Sequence, residues 1–217
     1  MYKISNNINC VLFDLDGTLV DSTWIWREID KIYLNRFHKK VHDNLQNEIE
    51  GMSFTETANY IKDYYDLKDS IETIKKDWND LASDFYENKI ELKKGAKNFL
   101  KYLSNREIKL GICTSNSRIL TEKVLIKHNI LDLFNIIITS CEVGKGKPNP
   151  DIYIHASKKL NCAPENCLVF EDTFQGVLSA SRAHMQVIGI QDAFSIKNRH
   201  KIAKYTLKYI ENFDKMK

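Results

Sequence analysis

An α/β fold with a Rossmann-like parallel sheet is predicted by two features of the sequence. The first is a series of short, continuously apolar runs that alternate with helical stretches: residues 8–15, Lys109–Thr114, Asn135–Thr139, Cys167–Glu171 and Gln186–Ile190. Such alternation is typical of a parallel sheet that is covered by helices on both faces. The second feature is a long insert after the first run, in which apolar residues recur at helical spacing and no strand pattern appears. This insert predicts a small α-helical cap, inserted after the first strand.

The insert divides the chain into two predicted domains. Residues 1–19 and 93–217 are expected to form the core, and residues 20–92 are expected to form the cap. Gly17 and the return crossover at Leu92–Gly95 are the predicted hinges between them. A cap that closes over the core would exclude water from a site between the two and would select the substrate.

Capping signals mark the starts of helices within the insert. Ser53, followed three residues later by Glu56, is a capping box for a predicted helix over residues 53–65. A second cap opens a predicted helix over residues 70–88. At the far end of the chain, the pattern from about Ile196 onward predicts a C-terminal helix.

The composition excludes several classes of protein. The 217 residues carry a net charge of +3 that is spread along the chain, whereas nucleic-acid binding needs basic residues clustered on one face. No apolar run approaches the ~20 residues of a membrane span, and the N-terminal residues lack the apolar core of a signal peptide. We therefore expect a cytoplasmic protein, a monomer or weak dimer, without nucleic-acid or membrane partners.

Two carboxylates stand at the end of the first apolar run. Asp14 and Asp16 follow it directly, and a Gly-Thr turn comes next. Alternation along a strand places the two side chains on the same side, and like charges at close range need a cation or a shared proton. An ordinary turn would explain the Gly-Thr step alone. The pair of acids instead predicts a metal site at the carboxyl end of the strand, where α/β sheets place their ligands.

Polar residues also follow three later positions at the same predicted edge of the sheet. These are Thr114-Ser115-Asn116, Lys147 before a proline, and the pair Glu171-Asp172. Taken singly, the hydroxyl and acidic groups fit helix caps, and the lysine fits the surface. Taken together, the carboxylates offer the hard oxygen ligands that Mg²⁺ prefers, and the lysine and hydroxyls suit a phosphate group.

These residues, in this order, resemble the motifs of the haloacid dehalogenase superfamily. The first motif is matched by residues 14–22, the second by Thr114, the third by Lys147 with its following proline, and the fourth by residues 171–172. The match extends over essentially the whole chain. The position of the helical insert is similar to that in the branch that contains β-phosphoglucomutase and phosphoglycolate phosphatase.

The resemblance implies a phosphatase that hydrolyses a small phosphorylated metabolite through an aspartyl-phosphate. Asp14 would be the nucleophile, and Asp16 would act as general acid and then as general base. The implied cofactor is Mg²⁺, held by Asp14, the Asp16 backbone carbonyl and Asp172. Glu171 is a possible further ligand.

The resemblance also implies which groups hold the phosphoryl oxygens. Thr114 and Lys147 would bind them directly, and Lys147 would keep Asp14 ionised through its charge. Backbone N–H groups of Ser115 and Asn116 are expected to be further donors. Dehalogenases of the superfamily lack an acid at the position of Asp16, so its presence here favours phosphoryl chemistry.

Two alternatives stay open on the sequence alone. One is a β-phosphoglucomutase-like phosphotransferase, and the other is a non-catalytic protein that binds a phosphorylated ligand. The mutases have a His and an Arg where this chain has Trp26 and Phe54, which disfavours the first alternative. In the cap, one of Trp24 and Trp26 is expected at the entrance of the site, and residues 51–54 are the predicted substrate-facing turn.

Overall fold

A central parallel sheet organises the structure, a computed structural model that describes residues 4–216. The strands are β1 (Cys10–Phe13), β2 (Val20–Asp21), β3 (Glu91–Leu92), β4 (Lys109–Thr114), β5 (Ile136–Thr139), β6 (Cys167–Glu171), β7 (Gln186–Ile190) and β8 (Lys208–Ile210). Six of them form one parallel sheet in the order β5-β4-β1-β6-β7-β8. The predicted Rossmann-like α/β fold is confirmed.

Helices connect the strands and form the insert. They are α1 (Thr23–Asn35), α2 (Leu45–Glu48), α3 (Phe54–Tyr65), α4 (Ile71–Asp84), α5 (Ala96–Ser104), α6 (Arg118–Lys127), α7 (Ser140–Val143), α8 (Asp151–Lys159), α9 (Phe174–Arg182) and α10 (Arg199–Lys204). A π-helical turn, Phe85–Lys89, extends α4. Over residues 4–216, no helix is both long enough and apolar enough to cross a membrane.

Strand β1 lies at the middle of the sheet and fixes the position of the acidic residues that follow it. Its last residue, Phe13, is opposite Ile112 of β4 and Phe170 of β6. The rings of Phe13 and Phe170 stack with their centroids 5.1 Å apart, and Phe99 of α5 meets the ring of Phe13 edge-on at 6.3 Å. These buried rings pack the carboxyl ends of β1 and β6 against each other and against α5.

The predicted capping signals are confirmed in the insert. The Ser53 hydroxyl accepts a hydrogen bond from the Glu56 amide at 3.2 Å, and the Glu56 carboxylate accepts one from the Ser53 amide at 2.7 Å. The Ser70 hydroxyl accepts a hydrogen bond from the Thr73 amide at 3.1 Å and so begins α4. Both helices thus start where their side chains satisfy free backbone N–H groups.

The expectation that the stretch from about Ser22 to Leu92 contains no strand is wrong at its far end, where β3 lies. Strands β2 and β3 form an antiparallel pair in which Val20 is opposite Leu92. The pair also continues into the core, because the Lys93 amide donates to the Leu19 carbonyl at 2.9 Å. A two-residue strand is too short to produce a sequence pattern. The pair forms here because the segment that leaves the core and the segment that returns to it lie side by side.

The expected C-terminal helix is also wrong in part. Helix α10 is short, and β8 follows it as an edge strand that pairs with β7, with Ile190 opposite Ile210. The edge of β7 offers unpaired backbone groups with which β8 pairs. Burial of Ile210 against the sheet adds to the stability of the strand, so the chain forms β8 here instead of continuing the helix.

Candidate active site

Asp14 lies at the carboxyl end of β1, between the ends of β4 and β6. It follows β1, and its amide donates to the Phe170 carbonyl of β6 at 3.0 Å. On the other side of β1, strand β4 ends at Thr114. Because parallel strands share one carboxyl edge, the residues after β1, β4 and β6 lie together there.

Lys147 joins two of these strand ends through a buried ion cluster. Its Nζ lies 2.6 Å from Asp14 Oδ1 and 2.5 Å from Glu171 Oε1, and it also donates to the Cys113 carbonyl at 3.2 Å. Burial alone would lower the pKa of Lys147, but the carboxylates of Asp14 and Glu171 raise it. The side chain therefore stays an ammonium and neutralises part of the charge beside it.

Glu171 is fully engaged by the protein. Its carboxylate accepts hydrogen bonds from the Tyr153 hydroxyl at 2.8 Å, from Lys147, and from the amides of Asp172 and Thr173. A carboxylate with so many donors is held in one orientation, and it orients Lys147 in turn.

Asp172 has fewer hydrogen-bond partners than Glu171. It is fully buried, its Oδ1 accepts from the Thr18 hydroxyl at 2.9 Å, and its Oδ2 has no partner in the part of the chain that the structure describes. Burial raises the pKa of its carboxyl well above the usual range. Gly17 lies against this oxygen, since a Cβ on it would be 2.5 Å from Oδ2.

Carboxylate oxygens of Asp14, Glu171 and Asp172 all lie within 4.8 Å of one another. Three buried acids at this distance, with only one lysine among them, form a concentration of negative charge. The orphaned oxygen of Asp172 is what a hard cation binds, so these residues fit a Mg²⁺ ion.

Asp16 lies apart from the ion cluster, in a ring of hydrogen-bond donors. Its carboxylate accepts from the Ser22 hydroxyl at 2.5 Å, from Asn116 Nδ2 at 2.9 Å and from the Tyr86 hydroxyl. Burial raises the pKa of Asp16, while the bonds from Ser22, Tyr86 and Asn116 act in the opposite direction. A carboxyl under these opposing influences is suited to proton transfer.

The residues after β4 are not the cap of the following helix. Ser117 caps α6, with its hydroxyl accepting from the Leu120 amide at 3.3 Å. Thr114, Ser115 and Asn116 instead line a cavity at this edge of the sheet. The acidic pair after β6 is likewise not the cap of the next helix, because Thr173 caps α9.

One cavity of about 180 Å³ connects the strand ends to the helical insert. Its lining from the core comprises Asp14, Asp16, Thr114, Ser115, Asn116, Lys147, Thr173 and Phe194. Its lining from the insert comprises Thr23, Trp26, Asp30, Gln46, Ile49, Glu50, Gly51, Met52, Phe54, Thr57 and Trp78. Of the two tryptophans considered from the sequence, Trp26 lines this cavity and Trp24 is half exposed.

Three polar side chains at this site were not found by reasoning from sequence. Tyr86, Tyr153 and Asp30 occur within helical stretches, among apolar residues at helical spacing. Tyrosines at such positions match core residues, and no motif distinguishes them. An Asp on the apolar face of α1 was the one available signal, because a buried acid needs a partner.

The profile of the haloacid dehalogenase-like hydrolase family matches residues 11–190. The bifunctional riboflavin kinase/FMN phosphatase of Arabidopsis thaliana is 31% identical over 84% of this chain, which spans 48% of that longer protein. The phosphorylated carbohydrates phosphatase of Thermotoga maritima is 26% identical, over 83% of this chain and 84% of its own. The solved structure of CbbY from Rhodobacter sphaeroides in complex with phosphate superposes with a TM-score of 0.85, at 20% identity and 96% coverage of both chains.

Proposed function

The chain belongs to the haloacid dehalogenase-like hydrolase family, and we propose that it is a Mg²⁺-dependent phosphatase of a small phosphomonoester. The proposal is carried by one observation: Asp14 is held by the buried ammonium of Lys147 beside the unpartnered oxygen of Asp172. The names of the related phosphatases support a phosphorylated metabolite as substrate.

In the first proposed step, a carboxylate oxygen of Asp14 attacks phosphorus and forms an aspartyl-phosphate. The bond from phosphorus to the leaving oxygen breaks, and Asp16 gives its proton to that oxygen. Burial raises the pKa of Asp14 and the charge of Lys147 lowers it, so Lys147 favours the ionised nucleophile. Lys147, Thr114 and the amide of Ser115 hold the phosphoryl oxygens, and the Asn116 amide donates to Thr114 Oγ1 at 3.0 Å and so positions that hydroxyl.

In the second step, water attacks the phosphorus of the aspartyl-phosphate. Asp16, now a carboxylate, takes a proton from this water, and the bond between phosphorus and the Asp14 oxygen breaks. Inorganic phosphate leaves, and both acids return to their starting protonation states. One difficult displacement is thus divided into two easier ones.

Asp14, Asp172 and the backbone carbonyl of Asp16 would hold the Mg²⁺ ion. When bound, the ion supplies the positive charge that allows an anionic nucleophile to meet an anionic phosphate. Glu171 is a less suitable ligand, because Lys147, Tyr153 and backbone amides already occupy its oxygens.

We also propose that residues 20–92 act as a cap over the core formed by 1–19 and 93–217. The cavity supports this division, since its lining comes from both parts. The turn over residues 51–54 contributes Gly51, Met52 and Phe54 to the lining, in agreement with a substrate-facing role.

The proposed activity is tested by phosphate release. Hydrolysis of p-nitrophenyl phosphate is expected with Mg²⁺ and not with EDTA, and Asp14→Asn is expected to remove it. Asp43→Asn is the matched control, because Asp43 is exposed and does not line the cavity. Unchanged hydrolysis by Asp14→Asn would exclude the mechanism, and activity only with an added bisphosphate would indicate a mutase.

A further inference from the structure

The cavity continues from the phosphoryl end into an aromatic chamber within the insert. Phe54 meets the ring of Trp26 at a centroid distance of 6.0 Å and an angle of 72°. On its other side it meets Trp78 at 5.4 Å and 75°. All three rings line the cavity, so the chamber has apolar walls set at steep angles to one another.

Two buried polar groups interrupt these walls. Asp30 of α1 is 5% exposed, and its Oδ2 accepts a hydrogen bond from Gln46 Nε2 at 2.6 Å. Trp78 of α4 is 2% exposed, and its Nε1 has no hydrogen-bond partner among residues 4–216. A buried N–H without an acceptor destabilises the protein, and an acceptor on a ligand would remove that cost.

The charge of the chamber restricts what enters it. Among the described residues that line the cavity, Lys147 is the single Lys or Arg, and its ammonium is already bound to Asp14 and Glu171. The insert contributes two acids instead, Asp30 and Glu50, and Glu50 Oε1 is buried without a partner. Burial raises the pKa of Asp30 to about 7 and also raises the pKa of Glu50, so neither acid supplies positive charge, and once ionised both would repel a second anionic group on the substrate.

The size of the chamber gives a further limit. The whole cavity, including its phosphoryl end, has a volume of about 180 Å³, and an apolar cavity of about 150 Å³ holds one benzene ring, so the leaving group is limited to at most about the size of a single six-membered ring. The Asp30 carboxylate needs a hydrogen-bond donor and the Trp78 N–H needs an acceptor. Hydroxyl groups can serve as both.

We propose that Asp30, Gln46 and Trp78 form the leaving-group subsite and that it takes an uncharged polyhydroxy group, a polyol or monosaccharide without a second negative charge. The inference rests on the proposed phosphatase function. In this subsite, one substrate hydroxyl donates to Asp30 and another accepts from Trp78 Nε1. The carbon skeleton of the substrate lies against the aromatic walls.

Two matched substrate pairs test the selectivity. Glucitol 6-phosphate and 6-phosphogluconate are open chains that differ by a hydroxymethyl group against a carboxylate, as do glycerol 3-phosphate and 3-phosphoglycerate. We expect kcat/KM to be at least tenfold higher for the neutral member of each pair. Equal or higher kcat/KM for the anionic member of either pair would overturn the inference.

Variants test whether the named residues cause that selectivity. Asp30→Asn is expected to reduce the neutral-to-anionic ratio at least tenfold, while Asp43→Asn, the same charge change on an exposed residue, leaves the ratio unchanged. Gln46→Lys is the second variant, because Gln46 is only half-buried; a cation there is expected to raise kcat/KM for the anionic members. A ratio unchanged in both folded variants would reject the subsite.

Hydrolysis of p-nitrophenyl phosphate separates the two proposals. If the wild-type protein does not hydrolyse it with Mg²⁺, the phosphatase function itself fails. If it does hydrolyse it and prefers the anionic members, only the subsite fails. Preference for glucosamine 6-phosphate over glucose 6-phosphate by tenfold or more would also overturn the uncharged polyol, since it would indicate a cationic leaving group.

Discussion

Lys147 balances the charge of the buried carboxylates at the phosphoryl end of the cavity. It lies between two buried carboxylates, Asp14 and Glu171, with its own side chain 3% exposed. Replacing Lys147 by Met leaves that pair of charges buried without a counterion, which costs about 3–5 kcal/mol. We expect urea denaturation in EDTA to show this loss for Lys147→Met, and phosphate release to fall below detection.

Lys145→Met is the matched control for this substitution. Lys145 is two residues away in the same loop, is exposed, and forms no part of the ion cluster. Its replacement is expected to change the free energy of unfolding by less than about 0.5 kcal/mol. Equal effects of the two substitutions would contradict the structural role of the cluster.

Tyr86 is expected to set the proton affinity of Asp16. Its hydroxyl donates to the Asp16 carboxylate, which stabilises the ionised form and lowers the pKa of Asp16 against the effect of burial. Tyr86→Phe removes that bond, so the pKa of Asp16 rises further. Under the proposed mechanism Asp16 must be protonated to act as general acid, so the alkaline limb of the pH profile of kcat/KM is expected to move to higher pH.

The control for Tyr86→Phe is Tyr33→Phe, which deletes a buried hydroxyl in the same helical insert. Tyr33 donates to Asp69 at 3.2 Å and does not contact Asp16. A pH profile that moves equally in both variants, or moves to lower pH in Tyr86→Phe, would contradict the assignment.

Helix α3 is positioned against the loop that carries Lys147. The capping carboxylate of Glu56 also accepts from the Gly146 amide at 2.9 Å, so one side chain joins the start of the helix to the loop. A Cβ on Gly146 would lie 2.4 Å from the Gly51 carbonyl oxygen. Gly146→Ala is therefore expected to separate the insert from the core.

A displacement of about 1 Å at a site that needs both parts can lower activity by roughly 100-fold. We expect a loss of that order in kcat/KM for Gly146→Ala, with Lys145→Ala as the control in the same loop. Thermal unfolding is the second readout. Loss of activity with an unchanged melting temperature supports misplacement, whereas full activity would show that the close contact is not needed.

The elements also show what the sequence is able to predict. Strand ends carry Asp14, Asp16 and Thr114, because a buried apolar run followed by a polar residue marks the carboxyl edge of a sheet. Strand β8 was missed because its three residues become a strand only by pairing with β7. A local hydrophobic pattern identifies a strand or helix whose own residues show the periodicity. It does not identify a short strand that forms only by pairing with a neighbouring strand.

The same distinction applies to the site as a whole. The acids and the lysine were predicted from motif positions, and their roles stay predictions. Asp30 and Trp78 were not predicted, because a helical pattern gives the face of a helix but not which other helices share a cavity. Recognition of the leaving group is therefore the part of the function that required the three-dimensional arrangement.

At the scale of the whole molecule, the unpartnered oxygen of Asp172 links metal binding to stability. An ion that binds only the folded state at 100 times its Kd adds about 2.7 kcal/mol. For a chain of this size, that corresponds to roughly 5–10 °C in melting temperature. We expect Mg²⁺ to produce such a rise over the protein in EDTA, measured by differential scanning calorimetry.

Asp172→Asn is expected to raise the melting temperature in EDTA and to abolish the further rise with Mg²⁺. Without metal, the substitution removes one of three buried acids whose oxygens lie within 4.8 Å, so the melting temperature in EDTA should exceed that of the wild type. With Mg²⁺, the further rise should disappear, because a ligand oxygen has been lost. A variant that keeps the wild-type response to Mg²⁺ would show that the ion binds elsewhere. Asp43→Asn, the exposed control, should retain the response in full.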